Sequence, residues 1–190
     1  MDFLKTRTAA FIVLAVVILV MTPLGAVRSL EREAAKVERG FFDGVEIEEG
    51  GSKYTSQSID ALLGEKAKAA LGLIAAGANY PALAAETANL RSAREELLAA
   101  DTISEKYSAS EAVDAAADAL YSGRTAVGIS ETDLSNIEAY YETLTKIQGS
   151  IGINAYNVKV AEYYSVTAAR FPADIIAKYV AGPRYFGAQP

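Results

Sequence analysis

The sequence predicts an all-α protein, an N-terminal transmembrane helix continuing into an antiparallel up-and-down helical bundle. Three observations predict it. Residues 8–27 (TAAFIVLAVVILVMTPLGAV) form a charge-free run of 20. At about 1.5 Å per residue that run spans roughly 30 Å, the hydrocarbon thickness of a bilayer. Downstream, apolar residues recur at three-four spacing in successive segments, and no period-2 run of useful length appears. Alanine fills many of the inward positions. Small side chains imply closely spaced helices whose length, not bulk, supplies the buried area.

Residues 1–27 read as a signal-anchor. Lys5 and Arg7 precede the apolar run, and Pro23 and Gly25 break its end, the layout of an export signal. Leu24-Gly25-Ala26 is a poor cleavage site, because Leu24 stands where a small residue is wanted, so an uncleaved anchor fits better. Basic residues near the two ends pull against export: Arg28, Arg32, Lys36 and Arg39 follow the span, and taken alone they place the bulk in the cytoplasm.

The same helix continues past the membrane, with Val27, Leu30, Ala34 and Val37 on one stripe, and ends at Gly40. Residues 44–57 read as a mobile loop around Gly50-Gly51. A second helix follows the Ser56/Ser58 caps and turns Ile59, Leu63, Ala67, Ala70, Ile74 and Gly77 inward. Pro81 opens a third, which spaces Leu83, Leu90 and Leu97 one heptad apart and runs to Ala99. A fourth is predicted from the capping box Ser108–Glu111, with Ala112, Val113, Ala116, Ala119 and Leu120 inside. A fifth is predicted from the box Ser135–Glu138 as one long helix to Ala169. Its core stripe is Ile137, Tyr141, Leu144, Ile147, Ile151, Ala155, Val158 and Ala161. Phe171-Pro172 stops it, and residues 181–190 (AGPRYFGAQP) form a Gly/Pro-punctuated tail after a bundle of residues 28–180.

Composition excludes whole classes of chemistry. The 190-residue chain has no Cys, His or Trp. It therefore has no thiol nucleophile, no disulfide, no Ser-His-Asp triad and no His-bearing zinc or di-iron motif. No catalytic residue, cofactor site or metal site is read from it. Beyond Val27 there are 16 basic and 23 acidic residues, a net of −7. An acidic chain without a basic cluster is repelled by phosphate backbones, so no nucleic-acid partner is expected. Asp114 and Asp118 stand four apart on one helix face and read as solvated acids. Glu46 to Glu49 lack the oxygen spacing of a calcium loop.

In order along the chain, several motifs resemble the LemA family of bacterial membrane-anchored helical proteins. These are Ser58-Ile59-Asp60 with Leu63, Ala78-Asn79-Tyr80, an acidic cap near Leu134, Tyr156-Asn157 leading to Tyr163, Phe171-Pro172 with Ile175-Ile176-Ala177, and Tyr185-Phe186. The chain departs from the family pattern in lacking a Trp near Phe41-Phe42 and a Pro within Leu71 to Ala75, and in the Gly50-Gly51 insertion. The resemblance implies an antiparallel helical bundle without established catalysis, held outside the cytoplasmic membrane by a single N-terminal span. It also implies an accessory role beside an envelope protein such as a membrane peptidase or phosphatase-like protein.

The expected function is therefore a membrane-anchored, non-catalytic scaffold or adaptor in the bacterial cell envelope. It would present helix faces and an aromatic tail to protein partners. Tyr156, Asn157, Phe171, Pro172, Tyr179, Tyr185 and Phe186 are the interaction candidates. Two alternatives stay open: a hydrolase working through carboxylates such as Asp60, Asp114 and Asp118, and a self-assembling, homo-oligomeric membrane-associated structural protein.

Overall fold

The computed structural model describes residues 7–170 and 173–187, without the side chains at 7–9, 13, 16–23 and 126. The all-α expectation holds: seven α-helices and one small hairpin make up the described chain. They are α1 (Arg7–Asp43), α2 (Ile59–Gly77), α3 (Ala84–Ala99), α4 (Ile103–Gly123), α5 (Glu131–Gly152), α6 (Ala155–Glu162) and α7 (Ala173–Ile176). Two compact units result, one of Met1–Arg39 with Val158–Pro183, the other of Gly40–Asn157 with Arg184–Pro190.

The larger unit is the bundle. Helices α2, α3, α4 and α5 pack in sequence order, and α5 closes the ring on α2. Each connection within the ring is short, so successive helices reverse direction. Every residue of the α2 stripe is buried, as are Leu83, Leu90 and Leu97 at their heptad spacing. Leu62, Leu73 and Ala76 are buried too, because α2 contacts α3, α4 and α5 at once.

Helix starts differ from the expectation twice. Helix α4 begins a turn and more before Ser108, where Thr102 accepts from the Glu105 N–H and Glu105 accepts from the Thr102 N–H, a complete capping box. Helix α5 begins at Glu131, with Ser130 accepting from the Asp133 N–H at 3.2 Å. In both places a polar cap with an acid three residues on lies upstream of the predicted one, and the chain takes the earlier start. In α4, Ala117 is buried and Ala119 is exposed.

The long fifth helix does not exist as one piece. It stops at Gly152, and Asn154 starts α6 by accepting from the Tyr156 N–H at 2.9 Å. Its amide also donates to the Gln57 carbonyl at 2.9 Å. Gly149 and Gly152 weaken the helix there by about 1 kcal/mol each, and Asn154 supplies the competing local bonds. The stripe is reset as a result: Tyr156, Val160 and Tyr163 are buried, whereas Val158 is 66% exposed.

The predicted mobile loop is an antiparallel hairpin, β1 (Glu46–Glu49) with β2 (Ser52–Thr55), in the register Glu46↔Thr55 to Glu49↔Ser52. Gly50 and Gly51 both take positive φ, at 58° and 81°, the two-residue turn whose twist matches the flanking strands. Its side chains are nearly all exposed.

In the smaller unit, the C-terminal half of α1 supplies Leu30, Ala34 and Val37. Tyr163, Ala168, Ala173, Ile176, Ala177 and Val180 pack on them. The Tyr163 hydroxyl donates to the Leu30 carbonyl at 3.3 Å, and the Tyr164 hydroxyl to the Pro183 carbonyl at 3.0 Å. Among the described residues no helix is long and apolar enough to cross a membrane. The centre of the predicted span, with its side chains at 13 and 16–23, lies outside what is described, and so do Phe171 and Pro172.

Ile137 is fully buried on the α5 stripe before the break, and Val158 after it is at the surface. Ile137→Ala is expected to cost about 2–5 kcal/mol in urea unfolding, and Val158→Ala less than about 0.5 kcal/mol. Equal costs would restore the uninterrupted fifth helix.

Candidate functional site

Two places concentrate chemistry, and both lie in the bundle unit. The first is a lysine inside the core. Lys66 projects from α2 with its side chain fully buried, and its ammonium donates to three groups on two other helices. These are Ser110 Oγ at 2.7 Å and Asp114 Oδ2 at 2.6 Å, both on α4, and Gln148 Oε1 at 3.0 Å on α5. An ammonium has three protons, and each has an acceptor. Leu63 and Ala67, one turn back and one residue on, keep α2 apolar around it.

Burial holds the Lys66 ammonium below the ordinary lysine value of 10.5, against the pull of Asp114. Burial likewise raises the Asp114 carboxyl above 3.8, opposed by its bond to Lys66. Asp114 is therefore not a solvated surface acid; its side chain is only 26% exposed and tied to α2. Asp118, its neighbour one turn on, accepts from the Tyr141 hydroxyl at 2.8 Å. Asp60 pairs with Lys106 at 2.9 Å. The three carboxylates thus serve three separate interhelical contacts. Among the described residues no three acids gather as a metal would require.

A lysine 2.7 Å from a serine is the geometry of a base poised on a nucleophile. Two features disable it here. Both groups are buried, Ser110 at 1% exposure, so no substrate carbonyl reaches the hydroxyl. Asp114 also stabilises the protonated amine, which then has no lone pair to accept a proton. The cluster fastens helices.

The second place is where the chain ends. Asn157 grips both backbone groups of one tail residue: its Nδ2 donates to the Phe186 carbonyl at 2.8 Å, and its Oδ1 accepts from the Phe186 N–H at 2.9 Å. The Tyr156 hydroxyl donates to the Arg184 carbonyl at 2.6 Å. The Phe186 ring is buried, 5.6 Å from the Phe41 ring and 5.4 Å from that of Tyr107, while Tyr156 stands edge-on to Phe41. A tail with Pro183 and Gly187 cannot form a ladder, so side chains satisfy its backbone instead.

No family model, curated protein or solved structure matches this chain. The site residues are therefore read from geometry alone. Of the interaction candidates, Tyr156, Asn157 and Phe186 come together as this clasp, and Tyr185 beside them is half-buried. Tyr179 lies apart from them in the other unit, 81% exposed.

Sequence reasoning missed Lys66. A signal was available, since Lys66 falls on the apolar stripe between Leu63 and Ala70. A third feature is an open groove of about 530 Å³ along α2 and α5. Leu62, Ala69 and Ile147 line it with Lys68 and Lys146, and Tyr140 bounds it. A Cβ on Gly72 would come within 2.4 Å of the Tyr140 ring, so only glycine admits that ring against α2.

Asp114→Ala leaves a buried, unpaired ammonium and is expected to cost about 3–5 kcal/mol, while Lys66→Met with Asp114→Leu recovers most of it. The pH dependence follows from proton counts. Below 10.5 the folded chain releases the Lys66 proton before the unfolded chain does, so stability rises with pH across that alkaline window. Above 3.8 the folded chain retains the Asp114 proton longer, so stability falls as pH rises through that acid window. Urea titrations across pH should show both slopes flattened in the apolar double variant.

Proposed function

We propose that this chain is a membrane-anchored, non-catalytic helical-bundle scaffold or adaptor of the LemA type, with its bulk outside the cytoplasmic membrane. The observation that carries the reading is the first half of α1. Phe11, Ile12, Leu14 and Leu24 are large, apolar and more than half exposed, Phe11 at 71%. They continue the charge-free run of 20 residues. Water is a poor solvent for such a surface and a bilayer a good one. The short basic leader before it supports export.

The adaptor part of the reading rests on what the bundle offers. Asp60, Asp114, Asp118 and the lysine–serine pair are committed to interhelical bonds. An open groove along α2 and α5 mixes apolar residues with Glu65, Lys68 and Lys146. That groove suits an amphipathic helix of an envelope protein, of the membrane peptidase or phosphatase-like kind that the family resemblance implies. The tail contributes differently from a free aromatic end. Phe186 is spent on its own bundle, which leaves Tyr179 and the helix faces for partners.

Fractionation of cells making the full chain with a C-terminal tag tests this reading. The chain should stay with membranes through an alkaline carbonate wash, and external protease on intact cells should remove the tag. Deleting residues 1–27 should release the bundle. A full-length chain found in the wash would contradict anchoring, and a protected tag would put the bundle in the cytoplasm.

A further inference from the structure

We propose that residues 173–180 form a second, peripheral membrane contact, a short amphipathic segment that lies on the anionic bilayer interface beside the N-terminal helix. The inference rests on the anchored reading above. Within the smaller unit, Ala173, Ile176, Ala177 and Val180 face the core formed with Leu30, Ala34 and Val37 of α1. Two of those four inward residues are alanines, whereas Ile175 and Tyr179 point away, 52% and 81% exposed. A segment folded for water alone would bury its bulky apolar residues and expose its alanines.

Position supplies the second argument. Leu30 lies about one helical turn, or roughly 5 Å, beyond Val27 at the end of the predicted span. That is the depth of the headgroup layer. A segment packed on Leu30 and Ala34 is therefore held where Tyr side chains favour the membrane–water boundary. Its two exposed apolar residues, Ile175 and Tyr179, stand on a single helical turn and the 3-10 turn that follows it.

Charge supplies the third. Beyond the predicted span, the unit that carries the anchor has seven basic and five acidic residues, a net of +2, whereas the bundle unit has nine against eighteen, a net of −9. Arg170 precedes the exposed pair and Lys178 stands within it; both are exposed, as is the single acid, Asp174. The Lys178 ammonium lies over the Tyr179 ring, 5.5 Å from its centroid. Anionic headgroups match this edge, and they repel the acidic bundle.

The absence of tryptophan from the chain makes the test clean. Single tryptophans would be placed by Tyr179→Trp at the segment, Phe11→Trp in the anchor and Leu98→Trp on the exposed face of α3. The full chain would be reconstituted in phosphatidylcholine vesicles doped with phosphatidylglycerol and nitroxide-labelled lipid. The proposal expects quenching of the Tyr179→Trp and Phe11→Trp proteins but not of Leu98→Trp. Adding Arg170→Gln and Lys178→Gln to Tyr179→Trp should lower the docked population roughly tenfold. Quenching of Phe11→Trp alone would overturn the interfacial contact and leave the anchor standing. Quenching of neither would overturn both. Emission from Tyr179→Trp that shifts with protein density and not with lipid would assign the surface to a second copy of the chain and overturn the proposal.

Discussion

The bundle depends on one ammonium held out of water. Lys66 sits where α2 meets α4 and α5, and its three donors meet Ser110, Asp114 and Gln148. Charge in a low-dielectric interior is tolerated only when every donor is met at good geometry. That requirement fixes the rotation of α2, α4 and α5 relative to one another. Lys66 thus supplies register to a bundle whose apolar residues supply adhesion.

The same bonds decide what the bundle does not do. The acids that might have formed a catalytic pair are distributed, Asp60 to Lys106, Asp114 to Lys66 and Asp118 to Tyr141. The tail follows a similar logic. Asn157 treats Phe186 as a neighbouring strand would, and the aromatic pocket of Phe41 and Tyr107 takes its ring. Phe186, which reads in sequence as part of a recognition end, is held in the bundle. The open surfaces are elsewhere, along α2 and α5 and around Tyr179.

Much of the fold was legible because helical periodicity is a repeated signal. The α2 stripe from Ile59 to Gly77 and the heptad of Leu83, Leu90 and Leu97 each rest on several agreeing positions. Single-position signals fared worse. Ser108 and Ser135 look like caps, yet Thr102 and Ser130 offer the same chemistry earlier, and each added turn of helix favours the earlier start. The break at Gly152 needed knowledge of Asn154, whose side chain bonds to Tyr156 and Gln57. The hairpin at Gly50-Gly51 was hidden because strands of four exposed residues carry no alternation. Of the candidate sites, the local pair Tyr156-Asn157 was legible, but its bonding to Arg184 and Phe186 across about 30 residues of sequence was not. Lys66 was obscured by the usual rule that lysines face water.

The central claim, a sealed structural lysine that holds α2, α4 and α5 together, is tested most directly by residue-resolved amine labelling. The folded full-length chain would be treated with an amine-selective reagent, and modification at each lysine followed by mass spectrometry over time. Lys66 should be the last to react, at the rate of global unfolding, while exposed Lys53 and Lys178 react at once. An accessible, activated amine at Lys66 would react first, and that result would contradict the account.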